Sequence, residues 1–306
     1  MSAELIQEKI SELKKLILEA GIESPAELEL LETKVRASSK TELTWKQVEL
    51  ARHPDRPYSL DYINRIFDNF TELHGDRAYG DDAAIVGGLA FLDGRPVTVI
   101  ANQKGRTLKE NMLRNHGMAH PEGYRKALRL AKQAEKFQRP IITFVDTSGA
   151  YPGLGAEERG IGEAIARNLK EFSQLKTPIV CIIIGEGGSG GALGICVGDK
   201  VYMLENAIYS VISPEGCASI LLRDAARAKD AAAMLKITSA DILAFNVING
   251  RIKEAPGGAH TDPDATAALI KETLVKDLAD LQSRSPSVLV GYRNQKIRKI
   301  GHWNEG

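Results

Sequence analysis

Apolar positions recur at helical spacing from the start of the chain. Ile6, Ile10, Leu13 and Ile17 stand among Glu and Lys, and beyond Pro25 a second stretch carries Leu28, Leu31 and Val35. The stripe is narrow and its flanks are charged. These residues therefore predict a helical arm or hairpin that must pack on the rest of the protein or on a partner chain. The texture changes around Pro54 and Pro57. From Ala84 onward, short apolar runs alternate with helical patterns: Ala84–Phe91 and Pro96–Ala101 are joined by Asp93-Gly94, a tight-hairpin dipeptide. A helix over about Pro121–Phe137 follows, with Tyr124, Ala127, Leu128, Ala131 and Ala134 on one face.

A second round repeats the theme, with a strand at Ile141–Val145, a Gly-rich turn, a helix over Ala156–Leu175, a strand at Ile179–Ile184 and a second Gly-rich turn opening a short helix. Strands at Val201–Leu204 and Ile208–Ile212 come next. Ser213-Pro214-Glu215 then offers an N-cap residue with Pro at the first helical position, so another helix should start there. After a helix over Pro263–Gln282 the chain ends in a tail with Arg284, Arg293, Lys296, Arg298 and Lys299 and no acid between Leu281 and Asn304. Such a tail reads as a solvated end or as a flexible arm that touches phosphate. The alternation predicts an α/β domain over roughly 84–255.

Composition narrows the function classes. With 306 residues, 43% hydrophobic and 26% charged, the chain can bury roughly 75% of its unfolded surface, which excludes disordered and fibrous classes. Lys+Arg 40 against Asp+Glu 40 leaves no net field to steer it toward nucleic acid or an anionic membrane. The longest apolar run, Ile179–Ile184, is far shorter than the ~20 residues of a spanning helix, and Met1–Ala20 carries too many charges for a signal peptide. A cytoplasmic protein is expected. Cys181, Cys196 and Cys217 are odd in number and lack C-x-x-C spacing, so they read as core thiols.

Chemistry is expected where strands end in glycine, because main-chain N–H groups can face a ligand there without side chains intervening. Two turns qualify: Asp146-Thr-Ser-Gly-Ala-Tyr-Pro-Gly153, and Gly185-Glu-Gly-Gly-Ser-Gly-Gly191 with five glycines in seven positions. Three readings compete for the second. Gly185-x-Gly187-x-x-Gly190 matches a dinucleotide fingerprint, with Glu205 placed for a ribose, but the helix expected before the next strand is too short. Gly187-x-Ser189-x-Gly191 matches a nucleophile elbow, with His260 and His302 downstream as bases. An oxyanion hole made of consecutive N–H groups needs no side chain and suits the glycines best. The plain alternative is that the glycines let a helix pack closely on the sheet.

Other candidates are weaker. His116-x-x-x-His120 has the spacing of zinc ligands one helical turn apart, but Gly117 replaces the Glu of H-E-x-x-H and no third ligand is evident, so no metal is expected. Arg125, Lys126, Arg129, Lys132 and Lys136 form the polar face of a helix, either solvated or facing coenzyme A phosphates. Glu157-Glu158-Arg159 opens a helix, where acids suit the dipole, and carries no catalytic role.

Met118–Leu130, Asp146–Gly160, Gly185–Gly194 and Tyr209–Ser219 together resemble the alpha subunit of the bacterial acetyl-coenzyme A carboxylase carboxyltransferase. His74-Gly75-Asp76-Arg77, Ile85-Val86-Gly87-Gly88 and Pro256-Gly257-Gly258-Ala259-His260 extend the likeness, which runs from about Leu50 to His260. The resemblance implies an α/β crotonase-like (ClpP/crotonase) fold of repeated β-β-α units with an N-terminal helical arm, divided as 1–55 arm, 56–260 carboxyltransferase domain and 261–306 C-terminal helix and basic tail. It further implies transfer of a carboxyl group from carboxybiotin on a biotin carboxyl carrier protein to acetyl-CoA, giving malonyl-CoA for fatty acid synthesis. The implied site is a backbone oxyanion hole on the carboxybiotin side at Gly190 and Gly191, with Gly149 and Ala150 second. Implied partners are the beta subunit in an alpha2–beta2 complex, the carrier protein and, within the ATP-using complex, biotin carboxylase. The chain has no Met-Lys-Met type biotinyl lysine and no four-Cys zinc ribbon, which the family places on the carrier and the beta subunit. No covalently bound cofactor is expected. A crotonase-superfamily serine hydrolase, an acyl-CoA hydratase and a non-catalytic scaffold are the alternatives.

Overall fold

A computed structural model describes residues 3–20 and 26–301. In chain order the elements are α1 (Ala3–Glu19), α2 (Ala26–Ala51), α3 (Ser59–Ile66), β1 (Asp68–Glu72), β2 (Ile85–Leu92), β3 (Arg95–Asn102), α4 (Leu108–Leu113), α5 (Pro121–Lys136), β4 (Ile141–Thr147), α6 (Leu154–Glu158), α7 (Ile161–Gln174), β5 (Ile179–Gly188) and α8 (Ser189–Leu193). They continue as β6 (Lys200–Leu204), β7 (Ile208–Ser210), α9 (Pro214–Cys217), α10 (Ala228–Leu235), α11 (Ser239–Ala244), β8 (Gly250–Ile252), α12 (Pro263–Gln282) and α13 (Pro286–Arg298).

The chain forms two compact units. In one, α1 and α2 pack as a hairpin around Ile10, Leu28 and Val35, with Lys14 ion-paired to Glu32; residues 214–236 belong to the same unit, where Lys229 meets Glu42. Pro25 lies outside the described residues.

The other unit holds the sheet, in the order β1-β2-β3-β4-β5-β6-β8, with β7 paired to β5. β1, β2 and β3 are antiparallel, and β3 through β8 run parallel. Asp93 and Gly94 both adopt left-handed φ, 48° and 75°, as a two-residue hairpin between right-twisted strands requires. β4 and the first seven residues of β5 are buried throughout, so their continuous apolar runs mark strands covered on both faces.

Several expectations change. The helix read over Ala156–Leu175 is broken into α6 and α7, because Gly160 turns left-handed at φ 79°. β5 outruns Ile184: Glu186–Gly188 stay in the ladder by pairing with Ile208–Ser210 of β7, so the second turn begins only at Ser189. A flexible arm does not describe 284–299, most of which is the largely exposed helix α13, but Arg293 is an exception to the solvated end. Arg293 is 1% exposed, and its five N–H groups reach both carboxylate oxygens of Asp199 and the carbonyls of Phe172, Leu175 and Thr177 at 2.8–3.0 Å. A periodicity scan counts such an arginine as surface, since its burial depends on a carboxylate 94 residues away.

Removing Arg293 strands a buried carboxylate and three carbonyls. Arg293→Ala is expected to lower unfolding free energy by about 3–5 kcal/mol, and Arg293→Lys, lacking the planar fork, to recover only part of it; urea denaturation followed by circular dichroism measures both.

Candidate functional site

The ends of β4 and β5 bring the two glycine-rich segments into direct contact. A Cβ on Gly188 would lie 2.1 Å from the Ser148 carbonyl oxygen, and one on Gly191 would lie 2.3 Å from the Gly149 carbonyl carbon and 2.4 Å from the Ala150 nitrogen. All three distances are below any real carbon contact, so these positions are bare because backbone lies on backbone. Gly190 differs: its nearest neighbour would be Ile165 at 3.8 Å, and it opens onto a cavity of about 250 Å³ shared with Ser189, Leu193, Tyr209 and Val247. Close packing, the plain alternative, thus accounts for Gly188 and Gly191 but not for Gly190.

The N–H groups differ in what they already bind. That of Gly149 donates to Thr147 Oγ1 at 3.1 Å, while the Thr147 hydroxyl donates to the Gly149 carbonyl at 2.6 Å. Gly190 and Gly191 lie in the first turn of α8, where helix geometry supplies no acceptor. The N–H groups of Ala150, Gly190 and Gly191 make no hydrogen bond to another described residue. Of the four expected site residues, Gly149 is therefore the one whose donor is committed. Buried Tyr124 of α5 fixes α8 from behind, its hydroxyl donating to the Gly191 carbonyl at 3.1 Å.

Beneath the turns runs a charge network that the sequence reading missed. Lys104 Nζ lies 2.7 Å from Asp146 Oδ1 and 3.1 Å from Glu186 Oε2, and Arg52 Nε lies 2.8 Å from Glu186 Oε1. Asp146 Oδ1 also accepts the Glu186 N–H at 2.9 Å, so one oxygen ties the end of β4 to β5. Burial works against the charge on Glu186, but Lys104 and Arg52 outweigh it and hold its carboxyl below the usual range. Burial likewise opposes the Lys104 charge, and Asp146 and Glu186 reverse the balance, keeping the ammonium protonated. A second pair, Arg56 Nη2 to Glu254 Oε1 at 2.6 Å, is fully buried, and Arg56 Nε donates to the Ile184 carbonyl at 2.7 Å. These residues are scattered over 200 positions; the signal available was the acid at the start of each turn, Asp146 and Glu186.

The competing readings meet specific obstacles. Gly185–Gly188 belong to a strand and α8 is five residues long, so there is no dinucleotide crossover; Glu205 lies 3.6 Å from Arg251. Ser189 does have the strained left-handed φ of an elbow, 51°. No described histidine bonds its hydroxyl, and His260 stacks on His53 at 3.8 Å, with its pKa lowered by burial and by His53. His302 lies outside the described residues. His116 sits in a 3-10 turn at φ 55°, whereas His120 precedes α5 and stacks on Tyr151, so the pair does not share a helix face. Part of the basic face of α5 is spent internally, since Lys126 is fully buried against Asp81, Arg125 binds Asp76 and Arg129 binds the Gly75 carbonyl, while Lys132 and Lys136 are exposed. Burial opposes the charge on Asp76, but three backbone N–H groups and Arg125 lower its pKa to about 2.

Lys104→Met leaves Asp146 and Glu186 without their shared cation and is expected to cost about 3–5 kcal/mol at pH 7. Glu186, depressed in the folded state, contributes stability above the ordinary carboxylate pKa of about 4.3 and loses it as pH falls through its own value. The gap between wild type and variant should therefore narrow in acid, as denaturation at pH 7 and pH 3.5 can check.

Residues 2–301 match the family model described as acetyl co-enzyme A carboxylase carboxyltransferase-like. The chain is 69% identical over 296 residues to the acetyl-coenzyme A carboxylase carboxyl transferase subunit alpha of Treponema denticola, covering 97% of each chain. It is 53% identical to the same subunit of Listeria welshimeri, covering 97% of this chain and 94% of that one. Among solved structures it resembles the transcarboxylase 12S core (TM-score 0.60, 21% identity, 73% of this chain and 41% of that one) and a Pseudomonas malonate decarboxylase hetero-dimer (TM-score 0.59, 18% identity, 72% and 89%). These likenesses establish the crotonase-like α/β fold. With residues 2–301 matched by the family model and a relative 69% identical over 97% of the chain, the chain belongs to the acetyl co-enzyme A carboxylase carboxyltransferase-like family.

Proposed function

We propose that this chain is the alpha subunit of the carboxyltransferase component of acetyl-CoA carboxylase, moving a carboxyl group from carboxybiotin to acetyl-CoA to give malonyl-CoA for fatty acid synthesis. The observation that carries the site assignment is the approach of Gly191 to the Gly149–Ala150 peptide beside the cavity that opens at Gly190. That approach gathers uncommitted N–H donors from two strand ends at one place.

Carboxybiotin, carried by a partner protein, supplies the activated carboxyl group. The donor set suits it: departure of that group leaves negative charge on the ureido oxygen, and N–H groups held in place stabilise developing charge without reorganising. Gly190 and Gly191 would donate to that oxygen, with Ala150 beside them. The dipole of one helical turn adds little; the fixed backbone does the orienting. Tyr209 and Leu193 form apolar walls on one side of the cavity. The thioester-side donors then belong to a beta subunit, and an alpha2–beta2 assembly, served by the carrier protein and biotin carboxylase, completes the reaction. Among the described residues no helix is long and apolar enough to cross a membrane, which accords with a cytoplasmic location for that complex. The serine hydrolase reading keeps only the φ of Ser189 in its favour.

In carboxyl transfer from malonyl-CoA to biocytin with the beta subunit present, Gly191→Ala is expected to lower kcat on the order of 10²–10³-fold while the complex still assembles. Gly190→Ala, whose methyl meets ordinary contacts, should stay within about tenfold of wild type, and Ser189→Ala should transfer normally. Wild-type turnover by Gly191→Ala would overturn the oxyanion assignment; loss on Ser189→Ala would revive the nucleophile.

A further inference from the structure

Behind the cavity at Gly190 lies a larger one, of about 500 Å³, between α7, the segment after α8, and α13. The two share Leu193, Tyr209 and Val247 as walls. The larger chamber is within the size range of small-molecule sites, and its surface is mainly apolar, from Leu169, Leu193, Val197, Val201, Val247 and Ile297. Among the described residues no acid lines it, and two cations, Lys296 and Arg298, do. Lys296 is held in place by the Gly198 and Asp199 carbonyls at 2.8 and 3.1 Å. Arg298 is exposed and makes no ion pair or hydrogen bond among the described residues. Leu193, Ile297 and Ile300 are also exposed, so the chamber is an apolar groove open to solvent along α13, with an uncommitted guanidinium on its rim.

We propose that this chamber binds an amphipathic monoanion, a fatty carboxylate, with its chain between α7, α8 and α13 and its head group on Arg298. The charge pattern selects the occupant. An apolar chain gains by leaving water, a carboxylate is matched by the planar fork of arginine, and an acid-free wall repels neither. A neutral chain would leave Arg298 unused, and a cationic one would face two like charges.

The test is equilibrium binding of radiolabelled dodecanoate to the complex of this chain with its carboxyltransferase partner, and to the chain alone, with dodecanol and dodecyltrimethylammonium as competitors of equal length. One saturable site per chain is expected, displaced by unlabelled dodecanoate and poorly by the other two. Arg298→Glu lies on an exposed helix position and should weaken binding about fivefold, the size of one exposed charge contact. Ser173→Trp fills the chamber from α7 and should abolish binding, with carboxyl transfer unchanged in both variants. Equal displacement by dodecanol, unchanged binding in Ser173→Trp, or no saturable site in either preparation would overturn the proposal.

Discussion

Where the segments that follow β4 and β5 meet, main chain lies so close to main chain that no side-chain carbon fits between. Gly188 meets the Ser148 carbonyl and Gly191 meets the Gly149–Ala150 peptide, which sets the spacing between the segments that follow β4 and β5. A single methyl group at Gly191 would push the segments apart by more than the tolerance of a hydrogen bond. The rest of the sheet-bearing unit can be read as what holds that approach in place. Parallel pairing of Ile141–Val145 with Ile179–Ile183 fixes the strands in register, Tyr124 anchors the Gly191 carbonyl, and Asn168 ties α7 to the Tyr124 and Gly194 carbonyls.

Charge does the remaining positioning. The Lys104–Asp146–Glu186 cluster places one ammonium between the residue that ends the apolar run of β4 and a residue of β5. A buried network of this kind is seldom chosen for stability alone, since an apolar replacement can match it. Its value lies in direction: carboxylates and carbonyls accept from fixed donors, so the strand ends have one relative placement. Arg56 with Glu254, and Arg293 with Asp199, serve the same purpose where loops and the C-terminal helix meet the sheet.

Much of this was legible in the amino-acid sequence because local patterns dictate it. The apolar runs of β2 to β5, the Asp93-Gly94 hairpin, the Pro-initiated α5 and α12 and the glycine segments all follow from backbone chemistry acting within a few residues. What escaped depends on distant partners. Glu186 reads as a turn residue until β7 is seen to pair beside it. Lys126 and Arg293 read as solvated until Asp81 and Asp199 arrive from 45 and 94 positions away. Gly149 looked equivalent to its neighbours, and only the Thr147 hydroxyl distinguishes its occupied N–H from that of Ala150. The break at Gly160 was visible as a glycine, but helical periodicity on either side concealed it.

On the proposed function, this chain is half of a shared site, able to steady charge on one substrate and dependent on a partner for the other. Carboxyl transfer from malonyl-CoA to biocytin, measured with this chain alone, the beta subunit alone and the two combined, tests that most directly. Turnover confined to the mixture is the predicted result; turnover by this chain alone, or none from a verified pair, would contradict it.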